Sequence, residues 1–251
     1  MDDRRPNGLT RRVVRAWWNA RKESWERIPR PHGEPSASAE GPDPARVLLL
    51  GDGPAMGFGV TSHDLALPGH LARQAARATG RGVRVDLITD LDLDSRSALA
   101  AYRERAGTGH DVLVVLLGSV DAVRLTRVSH FAERVGALLD QATCDGVRRI
   151  LIVGIPSFAA MPVVPRLPGR LAQRHAPALV AALESAARRR VHARFVPFSP
   201  PPEPSTDRYR SSETYGRWAA LISPHLAAQL EELRDEGPRR APEFATRLEE
   251  R

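Results

Sequence analysis

The chain has 251 residues, of which 42% are hydrophobic, so it can bury one sizeable core. It is too short for two large domains, and we expect a single domain. Its single cysteine, Cys144, excludes an internal disulfide and a structural zinc site built on cysteines. No apolar run approaches the roughly 18 residues of a membrane-spanning helix, and charges stand where a signal peptide has its apolar centre, so we expect a cytoplasmic protein.

The basic charge is concentrated near the start of the chain. Residues 1–30 carry nine basic and four acidic side chains, a net of +5 out of the total of +7. The chain has one lysine, Lys22, and many arginines. Such arginine usage, with abundant Ala, Pro and Gly, is typical of a GC-rich genome. It does not indicate nucleic-acid binding, and no nucleic-acid partner is expected.

The first predicted element is a basic amphipathic helix within residues 1–30. Between residues 9 and 28, bulky apolar side chains recur at helical spacing, with arginines around them. They are Val13, Val14, Trp17, Trp18 and Trp25. Two roles are open for this helix. It could pack on the domain itself, or it could contact an anionic membrane surface or a protein partner.

The segments that follow divide the rest of the chain. Residues 31–44 are rich in Pro, Gly, Ser and Glu without periodicity, which predicts a linker. The folded domain is predicted over residues 45–235, and residues 236–251 form a charged tail.

Within the domain, apolar runs of strand length alternate with longer helical patterns. Strands are predicted at residues 46–50, 83–88, 112–117, 150–153 and 195–197, and helices at 64–79, 95–106, 128–143, 170–189 and 212–234. The strands favour Val, Ile and Leu without polar alternation, as strands covered on both faces do. This order predicts an α/β protein, a three-layer α/β/α sandwich with a parallel, about five-stranded sheet. Binding groups in such sheets gather at the carboxyl ends of the strands.

The loop after the first of these strands is dense in glycine. Gly53, Gly57 and Gly59 can adopt positive φ and let the backbone approach a ligand closely. Their spacing also fits short-chain dehydrogenases, with Asp86 as a ribose ligand. Those enzymes need a Tyr-x-x-x-Lys pair, whereas the sole lysine, Lys22, lies in the predicted N-terminal helix, so this alternative is disfavoured.

Five segments, taken in order over about residues 45–230, resemble the GDSL (SGNH) hydrolases. They are Gly51-Asp52-Gly53 with Gly57, Leu65 to Ala72, Val112 to Leu117 with Gly118-Ser119-Val120-Asp121, Ile152 to Pro156, and Asp207-Arg208-Tyr209-Arg210-Ser211-Ser212 with Tyr215 and Trp218. The resemblance implies a flavodoxin-like sheet and an esterase or lipase reaction, the serine-dependent hydrolysis of carboxylic or acyl esters. It implies no cofactor and no metal.

The resemblance also implies which residues would form the site. The family's catalytic Ser, Asn and His positions hold Gly53, Val120 and Arg210, while Asp207 keeps the family's residue type. The expected binding residues are Asp52, Gly53, Gly57, Ser119, Asp121 and Arg210. Glycine has no nucleophile, valine has no side-chain donor, and arginine stays protonated, so standard catalysis is not expected.

Neighbouring residues could in principle replace the lost groups. Asparagine occurs only at Asn7 and Asn19, outside the domain, and residues 89–94 hold no glycine to act as a further oxyanion donor. Several serines and histidines are available, for example Ser119 with a histidine brought close by folding. No spacing singles out such a pair, and no histidine spacing suits a metal.

Two hypotheses follow. The first is a catalytically impaired member of this fold, a pseudoenzyme kept for binding or scaffolding, whose ligand is a small acyl or anionic molecule. The second is an active ester hydrolase with a relocated nucleophile. Arg210 has two corresponding roles, an ion pair with Asp207 or a site for a carboxylate or phosphate.

Overall fold

The computed structural model describes residues 26–107, 109–158, 166–201 and 210–237, together with Ala16. Strands and helices alternate along these residues. In chain order they are β1 (Ser36–Ala39), β2 (Ala45–Gly51), a 3-10 turn (Gly53–Met56), α1 (Leu67–Thr79), β3 (Val83–Ile88), α2 (Ser95–Arg105), β4 (Val112–Leu116), α3 (Ser119–Arg124), α4 (Val128–Cys144), β5 (Arg149–Val153), α5 (Arg166–Arg188), β6 (Ala193–Val196) and α6 (Ser212–Asp235).

One sheet joins all these strands in the order β1-β3-β2-β4-β5-β6. β2 to β6 pair in parallel, and β1 adds an antiparallel edge beside β3. The predicted three-layer α/β/α sandwich is confirmed, with one strand more than expected. The parallel strands have the flavodoxin-like order, and the strand order reverses at β2, which lies between β3 and β4. Ligands of such sheets bind outside the carboxyl ends of the strands at this reversal.

Helices cover both faces of the sheet because alternate residues of each strand are apolar on opposite sides. On one face, Leu48, Leu113 and Ile150 pack against α2, α3, α4 and α5. On the other face, Leu49, Val114 and Leu151 pack against α1 and α6. This arrangement puts the starts of α1, α3 and α6 at the same edge of the sheet, beside the carboxyl ends of the strands.

The segment predicted as a linker contains an element of the domain. Within residues 31–44, β1 pairs with β3, with Ser36 opposite Asp86 and Ala39 opposite Val83. The predicted linker is corrected here, and the domain begins upstream of residue 45. The sequence signal was weak because β1 reads Ser-Ala-Ser-Ala, without the bulky apolar residues that mark a strand.

Residues 28–32, called here the N-terminal strap, run along the loop after β2. The side chain of Ile28 is 5% exposed and joins a small apolar cluster. Its members are Ile28, Met56, Phe58 and Leu91. The carbonyl of Pro29 accepts a hydrogen bond from the N–H of Gly59 at 2.9 Å, and the N–H of His32 donates to Thr61 at 3.4 Å. The strap is therefore part of the packed domain.

Several predictions fall outside the described residues. Of the predicted N-terminal helix, only Ala16 and Glu26 are described as helical, and the tryptophans on which its two roles depend are not described. The charged tail is described as far as residue 237, where Glu236 pairs with Arg148 at 3.0 Å. In the described part of the chain, every helix is too short or too polar to span a bilayer.

Candidate functional site

Asp52 joins the loops that follow β2 and β4. It comes directly after β2 and is 0% exposed. Its carboxylate accepts hydrogen bonds from the backbone N–H groups of Gly118 at 3.1 Å, Ser119 at 3.3 Å and Val120 at 2.9 Å. These groups are the free donors at the start of α3, where a negative charge is favoured. The two loops therefore meet, as the resemblance implied.

Asp52 is also a carboxyl group with an altered proton affinity. Burial raises the pKa of Asp52 to about 7, the N–H of Val120 lowers it, and the nearby charge of Asp121 raises it again. Burial wins because a fully buried carboxylate loses its hydration, which three N–H donors replace only in part. The group therefore exchanges a proton near neutral pH.

Gly118 makes this arrangement sterically feasible. Its φ is +122°, in the region that favours glycine. A Cβ at this position would lie 2.6 Å from Cδ1 of Ile155, which is closer than real carbon atoms approach. The turn that presents three N–H groups to Asp52 therefore needs a glycine.

The acidic run after β3 is tied to α3. Asp121 accepts hydrogen bonds from the backbone N–H and the hydroxyl of Ser95, both at 2.8 Å. Arg124 bonds with Asp94 at 2.6 Å and with Asp92 at 2.9 Å. Residues 89–94 contain no glycine that could donate to an oxyanion. Two of their carboxylates form ion pairs with Arg124 instead. Asp121 is thus a structural anchor between two loops.

The positions expected to hold the catalytic serine and asparagine, Gly53 and Val120, have structural roles in this protein. Gly53 opens the 3-10 turn with φ of +47°, a left-handed conformation that strains any other residue. Val120 is 4% exposed and its side chain belongs to the core below α3. Ser119, proposed as a relocated nucleophile, is 5% exposed and its side chain hydrogen-bonds Asp52. The hydroxyl is thereby held inside the loop junction.

Arg210 is 7% exposed and lies among aromatic rings. Its guanidinium carbon is 4.6 Å from the centroid of the Trp218 ring. Trp218 in turn meets Phe198 and Tyr215 edge to face, with each pair of centroids 5.8 Å apart. Asp207, which keeps the residue type of the family's catalytic aspartate, lies outside the described residues. The two roles expected for Arg210 therefore both stay open.

Tyr215 connects the Arg210 region to the loop after β2. Its hydroxyl donates a hydrogen bond to the carbonyl of Phe58 at 3.0 Å. Burial raises the pKa of Tyr215 to about 12, although Arg210 acts in the opposite direction. The start of α6 thus reaches the same loop that Asp52 ties to α3. Of residues 207–210 only Arg210 is described, so the meeting of that stretch with the two loops stays a prediction.

Gly57 has a packing role in addition to its place in the motif. Its φ is +69°, and a Cβ would lie 2.6 Å from Cγ of Pro31 in the N-terminal strap. The close approach of this proline therefore requires a glycine. The binding role expected for Gly57 stays a prediction.

Asp86, the ribose ligand of the dehydrogenase alternative, is engaged by basic side chains. It bonds with His110 at 2.9 Å, Arg84 at 2.7 Å and Arg46 at 3.3 Å. Burial raises the pKa of Asp86, but the hydrogen bonds from His110 and Arg84 bring it below its ordinary value. Its carboxylate is therefore saturated with donors. Among the residues described, no cluster of three side chains suits a metal ion.

The structure singles out one pair among the serines and histidines that the sequence offered without a preferred pairing. Nε2 of His70, on α1, lies 2.9 Å from Oγ of Ser212, the first residue of α6. Both side chains are partly exposed. The two residues are 142 positions apart, so no local spacing could have indicated them.

Comparisons with known proteins identify the fold. No family model and no curated protein matches the sequence. Among solved structures, TesA is 16% identical, with 73% of this chain and 99% of that chain covered and a TM-score of 0.55. A GDSL-like lipase from Bacteroides thetaiotaomicron is 16% identical, covering 75% of this chain and 89% of that chain at a TM-score of 0.51. The psychrotrophic esterase EstA from Pseudoalteromonas sp. is 13% identical, covering 76% and 98% at a TM-score of 0.51. The chain therefore has the fold of the GDSL/SGNH hydrolases.

Proposed function

We propose that this chain, which has the fold of the GDSL/SGNH hydrolases, is a binding or scaffolding protein in which ester hydrolysis by the family's serine-dependent route is impaired. The observation that carries the proposal is Gly53. It occupies the turn after β2 where the resemblance expects the serine, and it has no side chain. Loss of a nucleophile lowers turnover by about 10⁶-fold in enzymes where it was measured.

The neighbouring groups support the same conclusion. The N–H of Val120 already donates to Asp52 at 2.9 Å, so it is not available to an oxyanion. Arg210 cannot serve as a general base because its guanidinium stays protonated. At the three described positions that correspond to the family's Ser, Asn and His, an ester would therefore meet no nucleophile, no side-chain amide donor and no general base.

The ligand that we propose for the crevice is a small acyl or anionic molecule. Arg210 supplies a positive charge beside the aromatic rings of Trp218 and Phe198. Calorimetric titration with fatty acids, acyl phosphates and sugar phosphates tests this proposal, with Arg210→Gln as the variant that should weaken binding of the anions. Absence of heat with every ligand contradicts the ligand class.

The N-terminal helix is proposed as a contact element for an anionic membrane surface or a protein partner. Its support is the basic, tryptophan-bearing pattern of residues 9–28 and the strap that ties the end of this segment to the loop after β2. Liposome flotation of wild type beside the Trp17→Ala, Trp18→Ala variant tests the membrane arm. Failure of both proteins to float excludes it.

Hydrolysis by the crevice is tested with p-nitrophenyl acetate and butyrate and with a fluorophosphonate probe, followed by peptide mapping. We expect no adduct on residues 45–60 or 112–125. An adduct on Ser119, or turnover that Ser119→Ala removes, contradicts the proposal.

Restoration of the family residues is the complementary test. Gly53→Ser alone should restore little activity, because the base and a donor are also absent and φ of +47° strains a serine. The triple variant, which adds Val120→Asn and Arg210→His, should restore more activity. It should also be less stable, because Val120→Asn places an amide in the core at a position that is 4% exposed. Full activity of Gly53→Ser alone contradicts the proposal.

A further inference from the structure

We infer that Ser212 and His70 form a nucleophile and base pair that accepts an acyl group from small, activated esters. The inference goes beyond the proposed binding role and is independent of it, since neither residue is one of the three substituted positions. It rests on the 2.9 Å approach of Nε2 of His70 to Oγ of Ser212, a distance at which a proton can pass between them.

The imidazole is held in place by the packing of α1 against α6. A Cβ on Gly216 would lie 3.2 Å from Cε1 and 3.3 Å from Nδ1 of the His70 ring, so glycine leaves room for the ring. A glycine inside a helix costs about 1 kcal/mol relative to alanine, and here it admits the imidazole. Gln74 clamps the two helices one turn further on, since its side chain donates to the carbonyl of Gly216 at 2.9 Å and accepts from Ser223 at 2.8 Å.

The surroundings of His70 favour the neutral form of its ring. Burial lowers its pKa, the charge of Arg73 lowers it further, and a hydrogen bond with the backbone of Ser212 opposes both. A neutral ring has a lone pair that can accept the hydroxyl proton, which an imidazolium lacks. The protonation state therefore suits a base.

The start of α6 supplies donors beside the hydroxyl. The first N–H groups of a helix have no carbonyl of that helix to bond with. The side chain of Ser211 accepts a hydrogen bond from the N–H of Thr214 at 3.3 Å, and the N–H groups of Ser212 and Glu213 precede that donor in the same turn. The carboxylate of Glu213 pairs with Arg217 at 2.6 Å, one turn along the helix. These N–H groups are suitable donors for a developing oxyanion.

The reaction that this geometry permits has two steps. Oγ of Ser212 forms a bond with the carbonyl carbon of the ester while Nε2 of His70 takes the hydroxyl proton. The bond from that carbon to the leaving oxygen then breaks, and the proton passes to the departing alcohol, which leaves an acyl group on Ser212. In the second step His70 takes a proton from water, the hydroxide adds to the acyl carbon, and the carboxylic acid departs as Ser212 recovers its proton.

The experiment is labelling of the full chain with a fluorophosphonate probe and with p-nitrophenyl acetate, followed by peptide mapping of the adduct. We expect an adduct on Ser212, its loss in Ser212→Ala, and a labelling rate about 100-fold lower in His70→Gln, which removes the base. Ser185→Ala is the control, because it removes a partly exposed hydroxyl from α5, which covers the opposite face of the sheet, and labelling of Ser212 should persist.

The outcomes separate this inference from the proposed binding role. Absence of an adduct on Ser212 overturns the inference, and so does an unchanged labelling rate in His70→Gln with normal circular dichroism. An adduct on Ser119 would instead contradict the proposed loss of hydrolysis at the crevice. A protein that is labelled at Ser212 and at no residue within 45–60 or 112–125 supports both proposals.

Discussion

The hydroxyl of Tyr215 donates a hydrogen bond to the carbonyl of Phe58, 3.0 Å away and 157 positions earlier in the chain. Tyr215 is 0% exposed, so this bond is shielded from water. It fixes the start of α6 against the loop after β2, the two stretches on which the candidate site depends.

Removal of this hydroxyl should destabilise the protein measurably. Tyr215→Phe leaves the buried carbonyl of Phe58 without its partner, and we expect a loss of about 1–3 kcal/mol in the free energy of unfolding. Urea unfolding measures it. Tyr102→Phe is the control, because the hydroxyl of Tyr102 hydrogen-bonds Asp145, which is exposed and can turn to water, so its loss should be smaller. Equal losses in both variants would contradict a special role for the Tyr215 bond.

Asp52 should make the stability of the protein depend on pH. Its pKa is about 7 in the folded protein against an ordinary value of 3.8, so the carboxyl binds more protons folded than unfolded between these values. Its contribution to stability is therefore fully present below about pH 4 and is lost as the pH rises through about 7.

The Asp52→Asn variant tests this dependence. In the wild type, Asp52 lowers the free energy of unfolding as the pH rises from about 5 to about 8. The variant should lack this decline, whatever its absolute stability. Urea unfolding at several pH values measures the difference between the two proteins. The exposed Asp145→Asn variant should follow the wild type. Parallel curves for wild type and Asp52→Asn would show that the pKa of Asp52 is not raised.

Two glycine substitutions should have opposite effects. Gly118→Ala forces a Cβ to within 2.6 Å of Ile155 at a φ of +122°, and we expect a loss of about 3 kcal/mol or more. Gly136→Ala lies inside α4, where the nearest atom would be Nη2 of Arg190 at 3.7 Å, so it should stabilise by about 0.5–1 kcal/mol. Thermal unfolding measures both shifts. A stabilising Gly118→Ala would mean that the turn before α3 differs from the one described.

The charge network between α3 and the loop after β3 should also be measurable. Arg124→Ala removes the ion pairs with Asp92 and Asp94, for which we expect a loss of about 1–3 kcal/mol. Amide hydrogen exchange over residues 90–94 should become faster. Arg217→Ala breaks an exposed pair with Glu213 and should cost less than about 0.5 kcal/mol. Unchanged exchange in Arg124→Ala would contradict the network.

The strands and long helices were predictable because the apolar side chains that they bury form runs or helical periods in the sequence. The runs at residues 83–88 and 112–117 lie within a residue of β3 and β4, since strands covered on both faces need continuous apolar side chains. β1 and α3 were not predicted. The first is four small residues at an edge of the sheet, and the second is six residues long, too short for a helical period to be visible.

The candidate site was predictable in part. The order of motifs correctly predicted that the loops after β2 and β4 meet, but it did not indicate that the carboxylate of Asp52 holds them together. The pairing of His70 with Ser212 depends on how two helices pack across 142 positions, which no local pattern encodes. Such contacts are set by the tertiary fold alone.

The N-terminal strap limits how far the chain can be truncated at its amino-terminal side. A fragment that starts at residue 45 would lack β1 and Ile28, leaving the edge of β3 open and uncovering Met56, Phe58 and Leu91. Open strand edges and fresh apolar surface promote aggregation. A stable fragment should therefore begin no later than Glu26, so that it keeps Ile28, the strap and β1.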